Sequence, residues 1–217
     1  MAIAGSISRS GTSVSGAVHV DGFNCFDRLT TIGLTGTLTG NNISLTSAPV
    51  DGQVITLNGS VTATDFTGTA SDFTGTYTIT GGCANGDHEN VSGIKVPLIT
   101  GQSAGTFTTS AGETLDAITQ VTQGSASPEG TYGLAGTVTF TTSCLSSGTL
   151  KSGTFPSGSF ILGRSVTLEI ETDNGTIAFL GTADPVKGEI RGTYTLAGGT
   201  CDDTGTAILV AASPWDY

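Results

Sequence analysis

Three blocks of this 217-residue sequence occur twice, in the same order. Val14-Ser-Gly-Ala-Val-His-Val20, followed by Cys25-Phe26, matches Leu134-Ala-Gly-Thr-Val-Thr-Phe140, followed by Cys144-Leu145. Ile43-Ser-Leu45 ahead of Asp51-Gly52 matches Val166-Thr-Leu168 ahead of Asn174-Gly175. Gly75-Thr-Tyr-Thr-Ile-Thr-Gly-Gly-Cys83 matches Gly192-Thr-Tyr-Thr-Leu-Ala-Gly-Gly-Thr-Cys201. Each block keeps its register with a turn or a Cys, which points to two copies of one supersecondary unit. The division gives a first β-repeat over 1–100 and a second over 101–217.

Within the blocks, side chains alternate. Tyr77 and Ile79 oppose Thr76, Thr78 and Thr80; Val166, Leu168 and Ile170 oppose Thr167, Glu169 and Glu171. Period two with one polar side describes an antiparallel sheet with one wet face. Only 12% of the residues are charged, and runs of Leu, Glu and Lys that would build helices are missing. Gly, at 33 residues, punctuates the strands. Asp51-Gly52 and Asn174-Gly175 suit the positive φ angles of tight hairpins.

The second copy reads as eight strands, near 104–110, 115–123, 131–142, 147–155, 159–171, 176–183, 188–198 and 204–212. Short connections make sequence neighbours spatial neighbours, and such a meander removes its exposed edges by closing into a barrel. The expected fold class is all-β, with two tandem antiparallel meander β-barrels of about eight strands each. A β-sandwich is the alternative. The first copy reads one strand short: Ala2–Ser8 corresponds to 117–122, and nothing corresponds to Ser103–Ser110. A gap is therefore expected between Ala2–Ser8 and a last strand at Val91–Ile99. The candidates to fill it are the tail Ala211–Tyr217, a partner's strand in a strand-exchange homo-oligomer, or a preceding segment of the chain. Pro214 argues against the tail as a central strand.

The strand count, the turn spacing and the Gly105-Thr-Phe107 opening resemble the lipocalin and avidin-like meander barrels. The Gly/Thr-rich style is similar to repeat domains of bacterial secreted proteins and lipoproteins. The first resemblance implies a small ligand in a barrel interior. It assigns no residue, because no ligand motif of either family is present.

Chemistry is sparsely supplied. His19 lies mid-strand and is replaced by Thr139 in the second copy; His88 lies in Asn85-Gly-Asp-His-Glu89, which reads as a turn. No strand–helix nucleophile elbow, phosphate loop or dinucleotide fingerprint occurs. Asp21, Asp27, Asp87, Glu89, Asp202 and Asp203 gather near the cysteines, but no calcium-loop spacing organises them. They read as solvated turn acids, and Thr74–Thr80 reads as a strand's solvent face. No catalytic, cofactor or metal residue is assigned. A net charge of −11 opposes binding to nucleic acid and to anionic membranes. No apolar stretch approaches a spanning helix. The opening Met1-Ala-Ile-Ala-Gly-Ser6 lacks a signal peptide's basic and apolar regions, so an exported form is expected to have lost its signal earlier.

Cys25, Cys83, Cys144 and Cys201 are spaced by 58, 61 and 57 residues, with no C-x-x-C. Even-numbered, widely spaced cysteines without His partners read as disulfides of an oxidising compartment: secreted, periplasmic or cell-surface. Strand parity puts Cys25 and Cys83 at one rim and repeats this for Cys144 and Cys201. Each within-copy bond closes a loop worth about 4 kcal/mol in the chain-entropy model. The expected function is a non-enzymatic structural or interaction module of the cell envelope; the alternative is a lipocalin- or avidin-like binder of a small ligand. Peptide mapping without reduction should recover Cys25–Cys83 and Cys144–Cys201 cross-links. A Cys25–Cys144 or Cys83–Cys144 peptide would defeat the pairing.

Overall fold

The computed structural model describes residues 2–21, 25–26, 30–62, 73–127, 129–141, 145–185, 187–199 and 202–212. Among them are sixteen strands and no helix. The chain divides into two compact units, Met1–Lys95 with Ala126–Gly130, and Val96–Ser125 with Thr131–Tyr217.

The second unit is a closed antiparallel barrel. Its strands are β8 (Gly101–Thr109), β9 (Thr114–Ala126), β10 (Thr131–Phe140), β11 (Gly148–Leu150), β12 (Phe160–Leu162), β13 (Ser165–Thr172), β14 (Gly175–Asp184), β15 (Glu189–Ala197) and β16 (Asp203–Ala211). Closure runs β10-β12-β13-β14-β15-β16-β8-β9 and back to β10. β11 and β12 share one position: both pair with β10 on one side and β13 on the other. Nine pieces thus make eight strand positions.

This corrects two expectations. The strands expected at 147–155 and 159–171 are not continuous. The chain leaves the sheet after Leu150, and Ser159 N donates back to Lys151 O at 2.8 Å. It rejoins as β12 and turns again at Gly163 (φ 58°) before β13. The Glu169 carboxylate holds the excursion, accepting from Lys151 Nζ at 2.7 Å and from Gly158 N at 3.1 Å.

Alternation fills the barrel. β13 buries Val166, Leu168 and Ile170, and β14 buries Ile177, Phe179, Gly181 and Ala183. Phe107 on β8 packs edge-on against Phe140 at 5.0 Å and Tyr194 at 5.2 Å. Eight strands leave an interior just wide enough for side chains, and Leu134, Leu145, Ile161, Ile190, Leu196 and Leu209 take up the rest.

The first unit is a seven-stranded antiparallel meander: β1 (Ala2–Ser10), β2 (Ser13–Asp21), β3 (Thr31–Thr39), β4 (Asn42–Ser47), β5 (Val54–Val61), β6 (Phe73–Thr80) and β7 (His88–Gly93). Among the described residues β1 pairs only with β2, and β7 only with β6. The sheet is open, where a second barrel was expected. Its core is nevertheless buried, with Val18, Val20, Ile32, Leu34, Leu45, Ile55, Leu57, Tyr77 and Ile79 all shielded from solvent. Asp51 (φ 50°) and Gly52 (φ 74°) form the hairpin turn between β4 and β5, and Val50 and Gln53 exchange both backbone hydrogen bonds at 2.9 Å.

The last strand of this unit also differs from expectation. It starts at His88, inside the expected turn, and stops at Gly93 rather than Ile99. Beyond it Pro97 cannot donate to a ladder. Ile99 is buried in the second unit's core, and its N–H bonds Gln123 Oε1 at 3.0 Å. Ala211, offered as part of a gap-filling tail, ends β16 instead; residues 213–217 lie outside the described residues.

The packing separates interior from exterior sites cleanly. Phe107 is 2% exposed and Leu180 is 62% exposed. Phe107→Ala should cost about 3–5 kcal/mol in denaturant unfolding. Leu180→Thr should stay within about 0.5 kcal/mol.

Candidate functional site

The most structured polar region of the first unit is the rim below β2 and β6. Cys25 follows β2, Cys83 follows β6, and the two form a disulfide with a Cα–Cα distance of 5.9 Å. Gln53, 2% exposed, is fixed between the bonded segments. Its Nε2 donates to Cys25 O at 2.9 Å, and its Oε1 accepts from Ala84 N at 3.0 Å. The covalent bond and the buried amide therefore hold the same two segments. Cys144 and Cys201 lie outside the described residues.

A second polar device sits beside this rim. Tyr77, inward on β6 and 4% exposed, donates its hydroxyl to Asp87 Oδ2 at 2.7 Å. In the other unit Tyr194, inward on β15 and 2% exposed, donates to Asp203 Oδ2 at 2.5 Å. The pair solves one problem in both places: a large aromatic ring fills the interior, and its polar end reaches a carboxylate at the mouth. The sequence reading placed both aspartates near the cysteines but missed the pairing. The available signal was an Asp ten residues after Tyr77 and nine after Tyr194.

These contacts set the electrostatics. The hydrogen bond to Asp87, then burial and the charges of Asp87 and Glu89, push the Tyr77 phenol up to about 12. Burial, then the Asp203 bond and charge, raises Tyr194. Burial pushes the Asp203 carboxyl up, but hydrogen bonds from Tyr194, Ser110 and the Thr204 N–H together hold it below its ordinary value. Ser110 contributes two of them to Asp203 Oδ1, from Oγ at 2.7 Å and from N at 3.2 Å.

The remaining candidate residues do not converge. His19 is half-buried on β2, flanked by buried Val18 and Val20, and its Nδ1 meets no partner among the described residues. His88 is exposed at the start of β7, its Nδ1 donating to Gly86 O at 3.0 Å. Glu89 is exposed on β7 across from Tyr77. Asp202 is exposed, Asp21 ends β2, and Asp27 lies outside the described residues. Among the described residues no three of His, Cys, Asp and Glu are grouped to hold a metal. Thr74, Thr76, Thr78 and Thr80 form the exposed side of β6. Among the described residues no helix is long and apolar enough to cross a membrane.

Comparisons with protein-family models, curated proteins and solved structures gave no match. The site therefore has to be read from its own chemistry, which is that of anchored phenols, a disulfide clamp and acids at a sheet edge.

The phenols make stability pH-dependent. A Tyr whose folded pKa is raised contributes stability that is complete below about pH 10 and is lost as pH climbs through the folded value. Asp203, held low, contributes stability that is present above about pH 4 and lost as pH falls through its folded value. Tyr194→Phe should cost about 1.5–3 kcal/mol at neutral pH. It should also flatten both limbs of thermal midpoint against pH. Unchanged limbs would show that the pair carries no linkage.

Proposed function

We propose that this chain is a non-enzymatic structural or interaction module of an exported protein, built on two copies of one β-repeat, and that it engages its partner through the open edge of the first unit. The observation that carries this reading is the contrast between the two sheets. The interior of the closed barrel is occupied by Phe107, Phe179, Tyr194 and aliphatic side chains, which favours this reading over a lipocalin-like ligand there. The first unit instead offers two strands, β1 and β7, each paired on one side only among the described residues. Unpaired strand edges are templates for another chain's backbone. The Cys25–Cys83 bond fits an oxidising location outside the cytoplasm.

Native mass spectrometry of protein purified from its source tests this. The expected result is a polypeptide adduct, a second copy of the chain included, with no retained small molecule. A stoichiometric small ligand would favour the binder instead. A hydrolytic activity abolished by His88→Ala in a folded protein would overturn the non-enzymatic reading.

A further inference from the structure

The two units differ most at the position that β8 fills. In the second unit β8 lies between β16 and β9 and pairs with both. The first unit has no described strand beyond β7 or β1. The two edges can be aligned through their tyrosines, because Tyr194 faces Gly205 across β15–β16 and Tyr77 faces Glu89 across β6–β7. Asp203 then corresponds to Asp87, Gly205 to Glu89 and Ala207 to Val91.

Each pair registers the lack of a described strand beside β7. Asp203 Oδ1 is satisfied by Ser110, the residue that follows β8. The Asp87 carboxylate has only the Tyr77 hydroxyl among the described residues. Ala207 is 1% exposed beneath β8, whereas Val91 is half-buried. At Gly205 an added Cβ would come within 2.0 Å of Thr108 O and 2.8 Å of the Tyr194 ring, so β8 excludes a side chain there. Glu89 puts a carboxylate at that place, on the same side of the sheet as Tyr77.

That carboxylate decides what can dock. A strand laid along β7 with a neutral residue opposite Glu89 would desolvate the charge without pairing it, which is costly. Pairing β7 with β7 of a second copy in the register that sets the two Glu89 residues opposite each other would bring like charges together across the strands, and these repel. Inward-pointing charge of this kind turns away indiscriminate edge pairing. It also selects a partner that neutralises it.

We propose that the β7 edge of the first unit receives an extended segment of another polypeptide that carries Lys or Arg opposite Glu89 and, at the next residue, a Ser or Thr that donates to Asp87. This rests on the strand-edge reading above and adds the partner's chemistry. The segment runs antiparallel to β7, as β8 runs to β16. Its basic residue takes the position of Thr109, which faces Gly205, and its hydroxyl residue takes the position of Ser110.

The test uses the intact chain and three peptides, one spelling Gly101–Ser110, one with Thr109→Lys and one with Thr109→Glu. Affinity is read by fluorescence anisotropy and location by amide hydrogen exchange. The expected result is new protection over His88–Gly93, with the Lys peptide binding about fivefold tighter at low salt. Glu89→Gln, an exposed substitution that leaves the core untouched, should equalise the first two peptides. Glu89→Lys should reverse the preference toward the Thr109→Glu peptide. Equal affinities of the first two for the unaltered chain would overturn the basic-residue requirement while leaving strand addition standing. Absence of protection at β7 with either of these two would overturn both, as would protection confined to β9 and β16, where the peptide would be replacing β8.

Discussion

A β-strand carries hydrogen-bonding groups along both edges, and how those edges are covered separates the two halves of this protein. The second unit covers its edges by closing on itself: β8 bonds β16 on one side and β9 on the other, and β9 reaches β10. The first unit repeats the meander with seven strands among the described residues. Closure in one case and an open sheet in the other follow from a single strand position, and the properties of each half follow from that.

Side-chain size differs between the two copies at some matching places. Where the closed barrel has Phe140 and Phe179, the open sheet has the smaller Val20 and Leu57, while Leu196 and Ile79 are equal in size and Phe26 is larger than Leu145. The core is buried without a described β8 equivalent, and Ile79 is 0% exposed. The lack of a described strand there therefore leaves backbone to be paired rather than a hole to be filled. That is why the acids along β7 matter more to partner choice than apolar area does: backbone pairing is common to every strand, whereas a charge at the edge discriminates between strands.

The tyrosine–aspartate pairs tie interior to rim. Tyr194 and Tyr77 fill core volume with their rings and spend their hydroxyls on carboxylates at the mouth. Asp203 shares its carboxylate between that phenol and Ser110, so one residue joins β15, β16 and the turn after β8. Asp87 makes the phenol bond alone among the described residues. The disulfide and Gln53 brace the same end of the first unit by linking the segments after β2 and β6.

Much of this was legible in the residues. Alternation at Gly75–Thr80 and Val166–Glu171 fixed the strands and their buried faces, because period two is a local property of an extended chain. The Cys25–Cys83 bond followed from strand parity, and the Asp51-Gly52 turn from its need for positive φ. The absence of a first-copy match for Ser103–Ser110 pointed to the gap between the first and last strands, although a barrel remained the expected class. Other features were not local. Whether 147–171 makes two long strands or an excursion held by Glu169 depends on β10 and β13 accepting both β11 and β12. His88 and Glu89 look like turn residues in sequence, and only pairing with Tyr77 and Thr78 draws them into β7. The phenol–carboxylate bonds arise because neighbouring strands bring residues nine or ten apart to one mouth. Sequence determined which side of each strand meets water; tertiary pairing decided which edges are covered, because an edge bond needs a second strand and no residue specifies that strand by itself.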